Sequence, residues 1–444
     1  MSQNEQSPFG VTVVGCGTVG AATCQLLLND AELLARRLGR PLELKYIVDV
    51  DFTNARNASL PETLYCERLE TALADESVHL VIELVGGTGI ARQIVADAVA
   101  AGKHVVTANK ALLAHHGVEL YATARANDVS IAFEASCGGG IPIIRALTDG
   151  LVANRFDALY GIVNGTCNYI LTEMIAEGVA YEQALREAQQ EGLAEADPTF
   201  DVEGVDSAHK LAIMAALAFG VKVDFDQIPV EGIDKLQLCD LSYGHELGYV
   251  VKLLAIATRQ AGGISLRVRP AFISLHHPLA WVSGPFNAIS VYGHATGHTM
   301  YYGRGAGGQP TASAVVADVA SVALGAYPAM FRTMGLWPDR NEPGNQLDAD
   351  EIRSRFYLRL MVKDVPGVLG RIAVILGEKG IGISSVLQHE PPFEGSQDVP
   401  VIITTYRSRQ GDLREAMEQV NSMDVVKDEC VCIPIVDEHP EQLL

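Results

Sequence analysis

Gly10-Val-Thr-Val-Val14, then Gly15-Cys16-Gly17-Thr18-Val19-Gly20, then Ala21-Ala-Thr-Cys-Gln-Leu-Leu-Leu28 is the stretch that decides the fold. A short apolar strand runs into G-x-G-x-x-G and straight on into a helix. In that setting Gly15 serves the tight turn, Gly17 lets backbone approach a pyrophosphate, and Gly20 lets helix lie on strand. The unpaired amides of the helix start at Thr18 and Val19 then face the phosphates. Strand-like runs at 43–48, 79–84, 104–106 and 130–133 follow, with helical stretches at 91–101 and 111–126 between them. Such alternation predicts a parallel sheet with helices on its faces, an α/β nucleotide-binding fold.

Two loops fall at strand ends of this sheet, where ligands of the fold bind. Glu83-Leu-Val-Gly86-Gly87-Thr88 can approach a cofactor closely through its glycines, and Thr107-Ala108-Asn109-Lys110 places a lysine at the carboxyl edge. A lysine there is either functional or merely solvated. The second strand ends in Asp49-Val50-Asp51. A carboxylate at that place would hold a ribose 2′-hydroxyl and repel a 2′-phosphate, which leans towards NAD.

The chain has 444 residues, 48% hydrophobic and 20% charged, the length of about three domains and the balance of a globular protein with ample core. A formal net charge of −21 argues against nucleic acid or an anionic membrane surface as partner. The eight cysteines are scattered and form no C-x-x-C pair, so free thiols are expected, without a disulfide framework or zinc site. Residues 1–8 lack basic and apolar signal regions and read as a disordered lead. No apolar run reaches a membrane span, so a cytoplasmic protein is expected.

Further on, Glu134-Ala-Ser-Cys137-Gly138-Gly139-Gly140-Ile141-Pro142 sets exposed backbone carbonyls beside a carboxylate. That composition suits a hard cation, and equally a flexible crossover to the next domain. Gly161 to Asn168 is a Gly/Asn-rich turn that either binds a small polar substrate or only reverses the chain. Glu195-Ala-Asp-Pro-Thr-Phe-Asp201-Val-Glu-Gly-Val-Asp206-Ser-Ala-His-Lys210 is an acidic run ending in one lysine. Residues 205–219 hold no Gly or Pro and read as a helix, with Asp206 and Lys210 as i,i+4 neighbours. The lysine face continues through Ile213, Met214 and Leu217, so the lysine points into a cleft or caps a core helix as a surface ion pair.

Residues 247–259 read as helix, and 266–273 and 287–292 as strands of a mixed α+β substrate domain. A further helix after Gly308 has Thr311 as N-cap candidate and is expected to return to the nucleotide domain and close over the nicotinamide. The polar, Pro/Gly-rich stretch from Trp337 reads as a linker. Beyond it, strand 355–362, helix 367–378, strands 382–387 and 399–406, helix 413–420 and strand 428–435 give the βαββαβ order of a ferredoxin-like module.

Jointly, the Gly15–Gly20 fingerprint, Ala108-Asn-Lys110, Glu134 to Pro142, Asn164-Gly165-Thr166, Glu195-Ala-Asp-Pro, Asp201 to Lys210, His277-Pro-Leu-Ala with Asn287-Ala-Ile, and Tyr302-Gly-Arg-Gly305-Ala-Gly307-Gly308 resemble homoserine dehydrogenase over roughly residues 9–435. The resemblance implies interconversion of L-homoserine and L-aspartate 4-semialdehyde with NAD or NADP in threonine and methionine biosynthesis. It casts Lys210 as the acid–base lysine, Asp206 as its orienting carboxylate, and Lys110 between cofactor and reacting oxygen. Glu195 and Asp201 would grip the substrate ammonium, and the amides around Gly165 and Thr166 would contact the substrate. It also implies a sodium-type (Na+) site of Glu134 with the carbonyls of Cys137, Gly139 and Ile141. Asp197 and Glu203 are left to cap or face solvent. His294 and His298 depart from the family's pattern, and structural or solvated roles suit them better than a titrating contact with the cofactor.

Asp364-Val-Pro-Gly367-Val368-Leu369-Gly370, between the module's first strand and helix, looks like the effector loop of an ACT domain. By that resemblance threonine is the feedback effector; a ligand-free dimerisation module is the alternative. The implied layout is a Rossmann-type domain over 9–140 plus 309–336, a catalytic and dimerisation domain over 141–308, a linker over 337–353 and the ACT domain over 354–436, in a homodimer or homotetramer. Two other readings stay open. One is another ACT-bearing dehydrogenase, of the phosphoglycerate type, which needs a His/Glu pair and an arginine for a carboxylate. The other is a non-catalytic, nucleotide-binding amino-acid sensor, which leaves Lys110 and Lys210 without a role.

Overall fold

The structure is a computed structural model, and it describes residues 7–389, 398–437 and 439. Residues 1–6 of the expected lead and 390–397 of the expected C-terminal module lie outside the described residues. The chain divides into two compact units, Met1–Asp157 with Ala208–Asp226 and Phe286–Gly344, and Ala158–Ser207 with Gln227–Pro285 and Asn345–Leu444.

In the first unit, β1 (Phe9–Val14), β2 (Leu42–Val48), β3 (Tyr65–Cys66), β4 (Val78–Glu83), β5 (His104–Thr107) and β6 (Ile131–Ala132) form one sheet. Its order is β3-β2-β1-β4-β5-β6, with every pairing parallel. The order reverses between β2 and β4 around β1, the switch point where a doubly wound sheet opens a crevice. All six residues of β1 are buried, as both-face coverage by helices requires. Helix Thr18–Asn29 follows β1 and lies against helix Gly308–Ala323, so the late helix does return to the nucleotide fold. That helix starts at Gly308 with Gly307 as N-cap, at φ +112°, not at Thr311; Thr311 sits inside the first turn and its amide bonds to the Gly307 carbonyl. The glycine conformation ends the preceding loop, so the hydroxyl is not needed to start the helix.

Trp337, at the start of the expected linker, is buried in this unit against Tyr121, Phe133, Tyr327 and Phe331. Two residues on, Asp339 pairs with Arg125 at 2.9 Å.

In the second unit, β7 (Phe156–Ile162), β8 (Tyr249–Gln260) and β9 (Gly263–Ser274) run antiparallel in sequence order. The 247–259 stretch is therefore strand, not helix. Its Leu-Leu-Ala-Ile-Ala core favours helix locally, but β8 pairs with β9 along its whole length through the two-residue loop Ala261-Gly262. Eight consecutive residues of β8, from Val251 to Thr258, are buried. Burial on both faces erases the alternation that marks a strand.

The hairpin of β10 (Phe286–Gly293) and β11 (Gly297–Arg304) belongs to the first unit. In the second unit β12 (Arg353–Lys363), helix Val368–Glu378, β13 (Ile383–Leu387), β14 (Asp398–Thr405), helix Gln410–Asn421 and β16 (Val431–Val436) follow, with the short β15 (Ser408–Arg409) before the last helix. Their order β16-β12-β14-β13, all antiparallel, is the 4-1-3-2 arrangement of a ferredoxin-like sheet. The two helices cover one face, closing a core that includes Phe356, Leu358, Leu360, Ile372, Leu376, Leu413 and Val420. This module is no pendant: β16 pairs parallel with β9, and Arg359 and Tyr357 of β12 both bond the buried Asp240.

Candidate active site

The first unit builds a nucleotide crevice. Gly15 stands at φ +94°, and a Cβ there would fall 2.8 Å from the backbone of Leu84 and Val85, so only glycine fits. A Cβ on Gly20 would lie 2.0 Å from the Gly15 carbonyl oxygen, whereas one on Gly17 would meet nothing within 4 Å. The outer two glycines are thus used up by the protein's own backbone, and the middle one leaves an open face beside the helix start. Asp49 does not stand free at the end of β2. Its Oδ2 accepts from the Cys16 amide at 2.5 Å and its Oδ1 from the Val50 amide at 2.7 Å, tying β2 to the glycine turn.

At the ends of β4 and β5 a second network shapes the crevice. Buried Glu83 accepts from the amides of Val85 and Gly86 at 2.9 and 3.1 Å and from the Thr107 hydroxyl at 2.6 Å. Thr107 in turn accepts from the Asn109 amide, and the Asn109 side chain donates to the Gly87 carbonyl at 2.6 Å while capping helix Lys110–Ala126 through the Leu112 amide. The loop carrying Gly86, Thr107 and Lys110 is thus fixed by side chains that precede each residue. The Gly305–Gly308 loop reaches the same region: a Cβ on Gly308 would sit 3.2 Å from the Thr18 carbonyl oxygen, and one on Gly139 2.6 Å from Gly305.

Cys137 lies within electrostatic reach of both lysines. Burial raises its thiol to about 12; the Ser136 hydroxyl and the charges of Lys210 and Lys110 pull it back, and Glu134 pushes it up. Its Sγ donates to the Lys210 carbonyl at 3.8 Å. Lys110 and Lys210, one hundred positions apart in sequence, therefore act on one buried thiol. Lys210 is 8% exposed and Asp206, one turn earlier on helix Val205–Phe219, is 4% exposed, so the surface-pair alternative falls. His209 between them is bound to His115 at 3.1 Å and stacked on Phe225, a packing role.

The Glu134 loop is held from both sides. The Glu134 carboxylate accepts from the amides of Ile144 and Arg145 at 2.9 and 2.8 Å, and its own amide donates to Asp318 at 2.7 Å. Burial, then the Asp318 charge, raises Glu134 to about 8, against the pull of those two amides; burial raises Asp318 to about 7. Gly138 and Gly139, at φ +73° and +56°, turn the intervening peptide carbonyls. These are hard oxygen donors beside two carboxylates that share one cation, Arg145, at 3.4 Å from Asp318, so the residues fit a monovalent cation.

The second unit gathers the acidic run. Asn164 caps helix Gly165–Glu177 through the Cys167 amide, and its side-chain nitrogen bridges Asp201 at 2.8 Å and Asp206 at 3.0 Å. Thr166 bonds the Leu193 carbonyl at 2.6 Å. Glu195 is exposed, and its carbonyl is bound by Gln189. Asp197 caps Thr199, and Glu203 faces solvent. Sequence reasoning passed over Lys252, buried on β8, whose Nζ donates to Asn168 and the Val282 carbonyl; burial lowers it to about 8. It also passed over Asn164 as the bridge, although an Asn before a helix start signals a cap.

His294 and His298 serve structure. His294 accepts from the Arg155 amide at 2.9 Å, and His298 bonds Ser290 and stacks on Tyr292 across the β10–β11 hairpin. In the C-terminal module Gly367, at φ +93°, caps helix Val368–Glu378; Asp364 lies in the loop before it, Val368 is buried, and Leu369 is exposed beside Val365.

Comparisons with known proteins agree with this geometry. A family model described as "Homoserine dehydrogenase" matches residues 142–320, and one described as "Homoserine dehydrogenase, NAD binding domain" matches 15–134. A homoserine dehydrogenase of Pseudomonas aeruginosa is 42% identical over 98% of this chain and 99% of its own, and that of Neisseria gonorrhoeae 41% over 95% and 97%. A solved homoserine dehydrogenase from Thiobacillus denitrificans superposes with a TM-score of 0.92 at 40% identity, covering 98% of this chain and 99% of its own. A hyperthermophilic archaeal homoserine dehydrogenase in complex with NADPH aligns over 72% of this chain and 98% of its own, at a TM-score of 0.60 and 25% identity.

Proposed function

The chain belongs to the homoserine dehydrogenase family, NAD(P)-dependent oxidoreductases, and from that premise we propose that it interconverts L-homoserine and L-aspartate 4-semialdehyde with Lys210 moving the proton. The observation that carries this is the burial of Lys210 with Asp206 one helical turn before it, and Lys110 within electrostatic reach of the same Cys137. The dinucleotide, when bound, supplies or accepts a hydride at nicotinamide C4. The amides of Gly17, Thr18, Val19 and Gly20 would hold its pyrophosphate, with Gly15, Gly86, Thr107, Gly305 and Gly307 shaping the groove and Asp49 the ribose end.

In the reducing direction the Lys210 ammonium gives its proton to the carbonyl oxygen as the substrate carbon gains the hydride. In the oxidising direction the neutral amine takes the hydroxyl proton back. Lys110 polarises the same oxygen. Asp206 keeps Lys210 oriented, and Asn164, bonded to both Asp206 and Asp201, fixes the two carboxylates relative to one another. Asp201 and Glu195 hold the substrate's α-ammonium, and the backbone at Gly165 and Thr166 its polar groups. The acidic composition of this run is what an amino-acid substrate calls for.

Three finer assignments accompany this reading. Residues 9–140 with 309–336 serve the cofactor and 141–308 the substrate and self-association, as a homodimer or homotetramer in the cytoplasm. Na+ sits on Glu134 with the carbonyls of Cys137, Gly139 and Ile141. The 354–436 module takes threonine as feedback inhibitor at Asp364, Gly367, Val368 and Leu369, a reading supported by its 4-1-3-2 sheet and its glycine-capped loop. The decisive assay is consumption of NADH or NADPH with aspartate semialdehyde. Lys210→Ala is expected to lower kcat by ~10²–10⁴-fold with the fold intact. Unimpaired turnover in that variant, or no turnover in the wild type, would overturn the proposal.

A further inference from the structure

Strand β9 alternates sharply around Ser265-Leu-Arg267-Val-Arg269. Ile264, Leu266 and Val268 point to one face, and Ser265, Arg267 and Arg269 to the other. The register sets Thr258 of β8 opposite Ser265, and Ile256 opposite both Arg267 and Tyr160 of β7. Tyr160, Thr258, Ser265 and Arg267 thus share one polar face of the second unit's sheet. That face is covered. Leu347, Glu351, Ser354, Arg407 and Asp437 close over it and leave a cavity of about 500 Å³.

Arg267 is 6% exposed, and among the described residues no carboxylate pairs with it. Its Nη1 donates weakly to Ser265 at 3.4 Å, and its Nε has no hydrogen-bond partner among the described residues. The acids at the rim are engaged elsewhere: Glu351 with Arg409 at 2.8 Å, and Asp437 with Arg355 at 3.0 Å and Arg407 at 3.6 Å. Neighbouring Arg269 is paired with Glu231 at 2.9 Å. Burial first, and then the charges of Arg269 and Arg407, drive the Arg267 guanidinium down to about 10, while Tyr160 pulls the other way. A buried charge without a counterion is strongly unfavourable, and proteins keep one where something ionic comes to meet it.

We propose that this cavity is a binding site for a small oxyanion, a carboxylate or phosphate group, held by the Arg267 fork with Arg407 at its mouth. A planar guanidinium presents paired N–H donors that match either group. None of the residues read above as cofactor, substrate, cation or effector ligands lines the cavity. Its walls come from β7, β8 and β9 on one side and from the start of β12 and end of β16 on the other. An anion there would tighten the junction of β9 with β16, which rests on the two pairs Phe272–Ile435 and Ile273–Val436.

The test is thermal denaturation of the full chain in inorganic phosphate and, separately, in sodium acetate, at constant ionic strength set with sodium chloride. The wild type is expected to show a saturable rise in Tm with one of the two anions above the chloride control, which also tells phosphate from carboxylate. Arg267→Met, which removes the uncompensated charge, should have a Tm at or above the wild type without anion and lose the saturable response. Arg407→Glu changes a mostly exposed side chain, so it folds whatever the core tolerates, and should weaken the apparent affinity at least tenfold. A wild type that responds to neither anion beyond chloride, or an Arg407→Glu variant that responds as the wild type does, would overturn the proposal.

Discussion

Alanine at Gly17 and at Gly20 should separate cofactor binding from folding, although the two lie one turn apart. A Cβ on Gly20 would stand 2.0 Å from the Gly15 carbonyl oxygen. A carbon and an oxygen need about 3 Å or more, so turn and helix must part by roughly 1 Å. Both partners are backbone, and no side chain can rotate away, which places the cost at the upper part of the ~1–3 kcal/mol typical of overpacking. Gly17 has φ −71° and ψ −160°, open to any residue, and its Cβ would touch nothing. Alanine there leaves stability unchanged or raises it by ~0.4–1 kcal/mol through the unfolded chain. Its methyl, however, occupies the face at which the pyrophosphate approaches. Losing one charge-assisted bond to phosphate costs ~1.5–3 kcal/mol, about 10- to 150-fold in affinity. Tm without cofactor and KM for NADH and NADPH, measured on both variants, are the readouts. The reasoning fails if Gly17→Ala keeps the wild-type KM for both cofactors, or if Gly20→Ala is as stable as wild type.

On the proposed role of Asp206 as the carboxylate that orients Lys210, Asp206→Asn should lower kcat by about tenfold or more while leaving the cofactor KM unchanged, since it removes the charge and keeps the shape bonded by Asn164; a pH–rate profile identical to wild type would refute that role. Removing either partner of the buried Arg359–Asp240 pair, as in Arg359→Met, should cost about 3–5 kcal/mol in urea denaturation, and the double variant with Asp240→Leu should recover much of it; additive losses would count against a buried pair. Lys252 has a folded pKa of about 8, below its ordinary 10.5, so the unfolded chain holds more protons between those values and the Lys252 contribution to stability rises with pH across that window. The stability difference between wild type and Lys252→Met should therefore shift in favour of wild type from pH 8 to pH 10; a difference independent of pH would show that Lys252 is neutral throughout or is not desolvated.

What was legible in the sequence is what local chemistry dictates. The fingerprint assigned three glycines three different tasks, and each shows as a different surrounding: a positive φ against Leu84, an open face, and a collision with Gly15. The helix from Val205 to Phe219 was delimited to the residue, because Gly204 and Gly220 stop it at both ends and nothing inside breaks it. The βαββαβ order was equally plain, since its amphipathic elements alternate periods of two and 3.6. The order of its strands was not, because register belongs to pairing across distance.

The failures share one cause, which is burial that sequence does not announce. Strand β8 reads as helix because both of its faces are covered, so its two buried polar residues, Lys252 and Thr258, stand too far apart to mark a period of two. Arg267 drew no notice because two arginines alternating with Leu and Val look like the wet face of an edge strand. The segment that covers that face was read as a linker on its Pro and Gly content, yet Asn345 and Leu347 bond to Ile264 and place Leu347 over the cavity. A linker and a lid have the same composition, since each must turn and each carries polar groups. They differ only in what lies beneath, and here that is a guanidinium with no counterion among the described residues. The same blindness hides the partners of Glu134, whose carboxylate the sequence sets only beside its own glycine loop. Its oxygens are met by amides ten and eleven residues later, so any cation there must share them with backbone donors, and its affinity must be modest compared with a cage of uncommitted carboxylates.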